Sequence, residues 1–238
     1  MVRILCLETS TEVCSAAIVE NGKVTAFRED VTGQNHSRLL TVFVSELLDS
    51  VQLKASSFDA VAVSEGPGSY TGLRIGVSVA KGFCYAAGIP LIAISSLEAM
   101  ASHVIENKTK YQIEVKPGDL FVPMIDARRM EVFTAMYDPN LEVIRKVGAL
   151  IVEPDSLHEF TDRSQLFLFG NGSAKCESTL TDPNILFIGG VLASSLNMAT
   201  LADHKFQKGE FVDVAYFEPY YLKDFIATVP KNSVLLNP

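Results

Sequence analysis

The chain lacks the cysteine spacing that a zinc site or a redox pair requires. Its four cysteines stand at positions 6, 14, 84 and 176, and no two are close enough to form a C-x-x-C pair. They read as buried free thiols, which suits a reducing compartment such as the cytoplasm. An excess of positive charge is missing too. Against 28 Asp and Glu stand 20 Lys and Arg, a net charge of -8. That excludes a broad basic face for nucleic acid, so any grip on RNA would come from another subunit. Long hydrophobic runs are absent as well. The apolar, uncharged stretch over residues 82–97 is broken by Gly88 and Pro90. It falls short of the ~20 residues of a membrane span. No secretory leader is expected, because Glu8 cuts the first apolar run. Finally, neither G-x-x-x-x-G-K-[ST] nor G-x-G-x-x-G occurs, so the two common phosphate-cradling patterns are missing.

What is present is a chain of 238 residues with an ordinary globular composition. At this length one large domain or two small ones can form, burying roughly 70–75% of the unfolded surface without staples. Residues 2–7, 14–19 and 24–28 read as strands, the last two joined by the Asn-Gly hairpin turn of "ENGK". From Gln34 the period changes. Leu40, Phe43, Val44, Leu47, Leu48 and Val51 recur at three- and four-residue steps and predict an amphipathic helix. Residues 58–63 form a short buried strand, followed by a glycine-rich loop and a helix. Residues 91–94 form another strand, and a helix follows around residues 96–106.

The polar stretch "ENKTKYQIEVKPGD" marks a seam. Beyond it the opening plan returns. "ILCLETSTEVCSAAIVENGKV" and "FVPMIDARRMEVFTAMYDPNLEV" both run strand, acidic residue, polar turn, strand, turn, third strand. Later come "LFLFGNGSAK" as strand, turn and helix start, a helix over residues 192–204, and "FEPYYLKDF" near the end. The expected fold is therefore α/β, two-lobed and duplicated, on the actin-like, ribonuclease H-like plan. Residues 1–105 would form the first lobe and 106–214 the second, with a segment of about 215–230 packing back on the first.

"SEGPGSYTGLRIGVSVAKGFC", residues 64–84, packs five glycines into one strand-to-helix junction. One reading is an anion site at the helix N-terminus, although Pro67 has no N–H to offer. The other reading is packing. Gly72, Gly76, Ala80 and Cys84 fall four residues apart and form one stripe of small side chains. A mid-helix glycine costs up to about 1 kcal/mol relative to alanine, which close approach by another helix would offset. Leu73, Ile75, Val77, Val79, Phe83 and Ala86 make this helix apolar almost all round. Such a helix is either wholly internal or covered by a partner.

"GPGSYTGLRIGVSVAKGFCYAAGIPLIAISSLEAMA", with "ILCLETSTEVCSAAI", resembles the TsaB (YeaZ) family, which partners the catalytic subunit TsaD in making threonylcarbamoyladenosine (t6A) on tRNA. The likeness spans roughly the first 105 residues and is loose beyond them. The ending "PYYLK" resembles a P-x-Y-x-R-like ending, with Lys223 in place of arginine. In TsaD-like sequences, also of the old glycoprotease family, the segment matching "SSLEAM" reads N-H-x-E-x-H, and its two histidines bind the metal. Ser96 and Met100 stand there in this chain, and neither suits a hard or borderline cation. Glu98 alone cannot hold one, and His103 reads as a surface or packing residue.

Other positions carry two readings each. Glu8, Thr9 and Ser10, and Asp126, Arg128 and Arg129, sit where actin-like folds place two phosphate loops. The other reading, polar hairpin turns, is the one expected, since the D-x-G-[ST] glycine is absent from both. Gly170 and Gly172 line a cleft or form a simple turn. His36 opens the first helix, and the sequence names no nucleophile near it. Tyr216, Phe217, Tyr220, Tyr221 and Phe225 either stack bases or dock into the core beside Glu218 and Asp224.

The resemblance implies a non-catalytic partner with no metal, no nucleotide cofactor and no membrane association. Its partners would be a TsaD-like subunit and a TsaE-like ATPase, with tRNA reached only through the complex. A homodimer would form when the partner is absent. The expected interface comprises His36, Leu40, Phe43 and Leu47 on one helix and Gly72, Arg74, Ile75, Gly76, Val79 and Phe83 on the next. The rivals are an active metal-dependent glycoprotease-like or carbamoyltransferase enzyme, supported by stoichiometric metal, and an actin-like phosphotransferase, supported by ATP turnover. The charge balance generates a first prediction. The lone chain should bind tRNA weakly, with a steep loss as salt rises. Filter binding at physiological salt checks this, and tight, specific binding by the chain alone would contradict it.

Overall fold

The computed structural model describes residues 1–33 and 35–223. Strands β1 (Arg3–Glu8), β2 (Cys14–Glu20) and β3 (Lys23–Asp30) form an antiparallel meander. Asn21 and Gly22 both take positive φ, as the two-residue turn between β2 and β3 demands. Helix α1 (His36–Ser50) leads to β4 (Ala60–Gly66), which pairs in parallel with β1. Helix α2 (Tyr70–Ala87) then crosses back to β5 (Leu91–Ser95), parallel to β4. Helix α3 (Ser96–Glu106) follows.

The second half repeats the strands. β6 (Leu120–Asp126), β7 (Glu131–Tyr137) and β8 (Val143–Ile151) form a meander, and β9 (Leu166–Phe169) and β10 (Ile185–Ile188) add in parallel. The short α4 (His158–Thr161) lies before β9, and α5 (Ala199–Lys208) comes last. The sheet orders are β3-β2-β1-β4-β5 and β8-β7-β6-β9-β10. They are the same order with each strand shifted by five in chain sequence. The fold is thus the duplicated actin-like α/β architecture that the repeated pattern predicts.

Alternation along the strands sorts the core. Leu5, Leu7, Ala16, Ile18, Val61 and Val63 face α1 and α2. Ile4, Cys6, Ala17, Val19, Ala62 and Ile94 face the other way, against Met198 and Leu201 of the last helical segment. That segment was expected with the second half, yet it packs on the first sheet, and Val212 then bridges to Leu91 at the sheet edge. In α3, Leu97, Met100 and Val104 pack on Phe121, Phe133 and Phe167 of the second sheet. Ala99 of the same helix reaches the first sheet's core. One helix therefore joins both halves. All four cysteines are buried and free.

Helix α2 begins where Ser69 Oγ accepts the Gly72 amide at 3.2 Å and ends at Gly88, in the left-handed region at φ 69°. Its glycine stripe faces inward, and what it meets is a loop rather than a helix. A Cβ on Gly72 would lie 2.1 Å from the Thr9 carbonyl oxygen, and one on Gly76 would lie 2.4 Å from Thr9 Oγ1. Gly68 is as tight, 2.2 Å from the Ser10 carbonyl oxygen, which also accepts the Ser69 amide at 2.6 Å. Thr9 Oγ1 donates to the Gly72 carbonyl at 2.8 Å. Overpacking such a contact costs ~1–3 kcal/mol. The Gly76→Leu variant should therefore melt lower, by roughly 2–12 °C for a chain of this size. A thermal melt checks this, and an unchanged midpoint would remove the close contact from the account.

Candidate functional site

The strand-end positions come first, since the phosphate-loop reading rests on them. Glu8, Thr9 and Ser10 are fully buried, spent on seating α2. The matching turn of the second half is also closed on itself. Lys175 pairs with Asp126 and donates to the Glu131 carbonyl at 2.7 Å. Burial pushes the Asp126 carboxyl up, but the Lys175 hydrogen bond, the Arg128 amide and both charges hold it below its ordinary value. Gly170 and Gly172 are there for close approach: their Cβ atoms would lie 2.3 Å from the Met124 carbonyl oxygen and 2.8 Å from the Ile125 carbonyl carbon. Asn171 between them accepts the Asp126 amide at 3.0 Å and donates to Glu12 of the first half at 2.6 Å. Arg128 and Arg129 are exposed, both with positive φ.

The segment "SSLEAM" opens α3. Ser95 Oγ caps the helix by accepting the Glu98 amide at 3.4 Å. Ser96 is buried, and its hydroxyl has no partner among the described residues. Met100 is 1% exposed and belongs to the second core. Glu98 is half-buried. Burial pushes its carboxyl up, Lys205 opposes that, and Glu210 adds to it. Glu65 behaves alike, raised by burial and by Glu98 against Lys205. His103 accepts or donates to the Tyr111 hydroxyl at 3.0 Å, and burial lowers its pKa. This is the packing role expected of it. Among the described residues no cluster of three His, Cys, Asp or Glu could hold a metal. Between the sheets lies a cavity of about 400 Å³ lined by Glu65, Ser95, Tyr137, Val147 and Tyr220 among others.

A larger groove, about 620 Å³, runs between α1 and α2 and is lined by Ser37, Tyr70, Thr71, Arg74, Ile75, Ser78 and Val79. Tyr70 anchors its rim. Arg74 lies over the Tyr70 ring at 5.4 Å and donates to its hydroxyl at 2.9 Å, and Tyr221 packs on the ring at 4.8 Å between centroids. Of the ten residues expected at an interface, the structure divides the set. Arg74 is exposed, and His36, Phe43, Ile75, Val79 and Phe83 are half-buried; of these six, Arg74, Ile75 and Val79 line the groove. His36 Nε2 lies 3.2 Å from the Val13 carbonyl oxygen, a local contact. Leu40 and Leu47 are fully buried in the first core, and Gly72 and Gly76 press on Thr9. These four must be corrected: they face the chain's own sheet and cannot be reached from outside.

The outward stripe of small residues is a different one. Ser78, Gly82 and Ala86, again four apart, are all exposed. Nothing among the described residues lies within 4 Å of where a Gly82 Cβ would be. Sequence reasoning passed over this stripe because it carries one glycine where the inner one carries two. In the aromatic cluster, Phe217 packs against the first core, while Tyr216 is 86% exposed. Asp224 and Phe225 lie outside the described residues.

Comparison with known proteins then places the chain. The family model described as TsaD, tRNA N6-adenosine threonylcarbamoyltransferase, matches residues 29–232. The tRNA threonylcarbamoyladenosine biosynthesis protein TsaB of Escherichia coli is 28% identical, over 94% of this chain and 96% of its own length. The TsaB protein of Bacillus subtilis is 30% identical over 69% of both. The solved structure of YeaZ from Pseudomonas aeruginosa superposes with a TM-score of 0.79 at 27% identity, covering 93% of this chain and all of that one. Within the wider TsaD family, this chain belongs to the TsaB family of t6A biosynthesis proteins.

Proposed function

We propose that the chain serves t6A biosynthesis as a docking partner without a catalytic centre of its own, and that it binds a TsaD-type subunit through the α1–α2 face. That subunit would transfer the threonylcarbamoyl group to adenosine 37 of tRNAs reading A-starting codons. A TsaE-like ATPase joins the complex, tRNA is reached only through it, and the same face closes a homodimer when the partner is absent. The setting is the cytoplasm. No helix among the described residues is long and apolar enough to cross a membrane. Two lobes divided near residue 106, with the last helical segment returned to the first, complete the reading.

The observation that carries the docking face is Gly82. A glycine in the interior of a helix costs about 1 kcal/mol relative to alanine, and nothing among the described residues crowds it. A partner helix approaching along Ser78, Gly82 and Ala86 accounts for it. Beside that stripe, Tyr70 and Arg74 supply the residue types that most often dominate binding energy. The Gly82→Leu variant should melt no lower than the wild type, yet bind the TsaD-type subunit roughly five- to a hundredfold more weakly, the equivalent of ~1–3 kcal/mol of overpacking. Calorimetry or pull-down reads the affinity, and unchanged binding overturns the docking face. Gly76→Leu is the control, since it should lower the melt while sparing the affinity of the folded fraction.

Absence of a catalytic centre is supported by Ser96 and Met100. One offers only a hydroxyl and the other is a core thioether, where the resemblance implies two imidazoles. The purified chain should hold no stoichiometric zinc or iron by elemental analysis and should not modify tRNA alone. Robust modification without a second subunit would overturn this part.

A further inference from the structure

The cavity between the two sheets, about 400 Å³, shares no lining residue with the α1–α2 groove. Its volume lies in the range of small-molecule sites. One wall is the end of the first sheet, with Glu65 of β4 and Ser95, the last residue of β5. The facing wall is the second sheet, with Tyr137 at the end of β7 and Val143, Lys146 and Val147 of β8. Tyr220 closes a third side. Its amide donates to the Glu65 carbonyl at 2.7 Å, and its carbonyl oxygen would lie 2.9 Å from a Cβ on Gly66. The backbone therefore fixes that side to β4.

Two opposite charges line this cavity without meeting. Among the described residues, neither the Glu65 carboxylate nor the Lys146 ammonium makes a hydrogen bond or an ion pair. They stand more than 4.0 Å apart, which leaves room between them. Glu65 is half-buried and Lys146 is exposed, so the carboxylate marks the inner end and the ammonium the mouth. The charge around the inner end is negative. Glu98 of α3 acts on Glu65 and Lys205 of α5 opposes it, while Glu210 acts on Glu98. Three carboxylates thus stand against one ammonium. Burial first, and then Glu98, push the Tyr137 phenol up, so it stays a neutral hydroxyl with Ser95 as its partner. A half-buried carboxylate without a partner is the group that gains most from a cation. Between the two charges, Tyr137, Val143, Val147 and Tyr220 offer aromatic and aliphatic surface to an apolar body.

We propose that this cavity binds a small apolar zwitterion, a free amino acid or a dipeptide, with its ammonium on Glu65 and its carboxylate on Lys146. A plain amine would leave Lys146 unused. A plain carboxylate would face the negative inner end with nothing to offer it. Nothing in the argument depends on the docking face, and the test uses no second protein, so the two readings stand or fall separately.

The test is calorimetry on the full chain with four probes: L-phenylalanine, glycyl-L-phenylalanine, 2-phenylethylamine and 3-phenylpropanoate. One zwitterion per chain should bind, and the tighter of the first two identifies the source as amino acid or peptide. Loss of the carboxylate in 2-phenylethylamine should weaken binding about two- to fivefold, because Lys146 is exposed. Loss of the ammonium in 3-phenylpropanoate should weaken it roughly ten- to a hundredfold, the worth of a hydrogen bond to a charged group. Glu65→Gln should weaken every amine-bearing probe by that larger factor. The Glu65 carboxylate has no partner in the chain, so a thermal melt should show the variant folded. Lys146→Met should lower the affinity of the zwitterions to that of 2-phenylethylamine and leave the amine itself unchanged. No binding of either zwitterion by the wild type would overturn the proposal. So would equal affinity for zwitterion and amine, or a Lys146→Met variant that still tells them apart. These last results stand even if Glu65→Gln fails to fold.

Discussion

The contact on which the molecule turns is between α2 and the loop that leaves β1. Residues Thr9 and Ser10 rise under the helix so closely that carbonyl oxygens stand 2.1–2.2 Å from where the Cβ atoms of Gly72 and Gly68 would be. Only glycine fits, and each helical glycine gives up about 1 kcal/mol relative to alanine. The return is a helix lying low on its own sheet, with Val77, Ala80 and Cys84 in the core and Arg74, Ser78 and Gly82 left outside. Depth of seating and choice of outward face are therefore one decision. The same contact closes the turn after β1 against the helix.

The second half repeats this arrangement with other means. Its glycine turn, Gly170 to Gly172, presses on the end of β6 as Gly68 presses on the turn after β1. No long helix follows there; the chain makes a single 3-10 turn over Ala174–Cys176. Lys175 from that turn pairs with Asp126, and Asn171 reaches Glu12 across the halves. The two strand-end turns are thus tied to internal partners and to each other. The Asn171–Glu12 hydrogen bond thus bridges the duplicated halves.

Much of this was legible from pattern alone. The meander of β1 to β3 follows from two apolar runs around Asn21-Gly22, and the repeat at Leu120 follows from the same plan. The period from Leu40 to Leu48 marks α1. The faces were not legible, for a physical reason. Apolar residues surround α2 almost completely, so its pattern has no phase that separates inside from outside. The glycine stripe pointed to a close neighbour, but that neighbour is Thr9, some sixty positions earlier, and spacing carries no sign of it. Leu40 and Leu47 went wrong with it, since a heptad-like row cannot say whether its own sheet or a partner covers it. The four-residue elements Ile185–Ile188 and His158–Thr161 were missed because neither is long enough to show a period. Leu192 to His204 reads as one helix, but a 3-10 turn at Ser195–Met198 precedes α5. Chain order then hid its place on the first sheet.

Helix α3 shows why a metal site would be hard to build at its start. If imidazoles stood at positions 96 and 100, they would need space, water and a deprotonated ring facing one point. Here Met100 is packed among Leu97, Phe121 and Phe133, and Ser96 is sealed from solvent. Exchanging Met100 for histidine would bury an unsatisfied ring nitrogen in that core, a penalty of about 1–3 kcal/mol before any metal arrives. The helix has meanwhile taken another task, because Ala99 packs on the first sheet while Met100 packs on the second. A segment that joins two cores must be dry and rigid, whereas a catalytic metal centre keeps one position open to water or substrate. Both cannot be built from the same eleven residues.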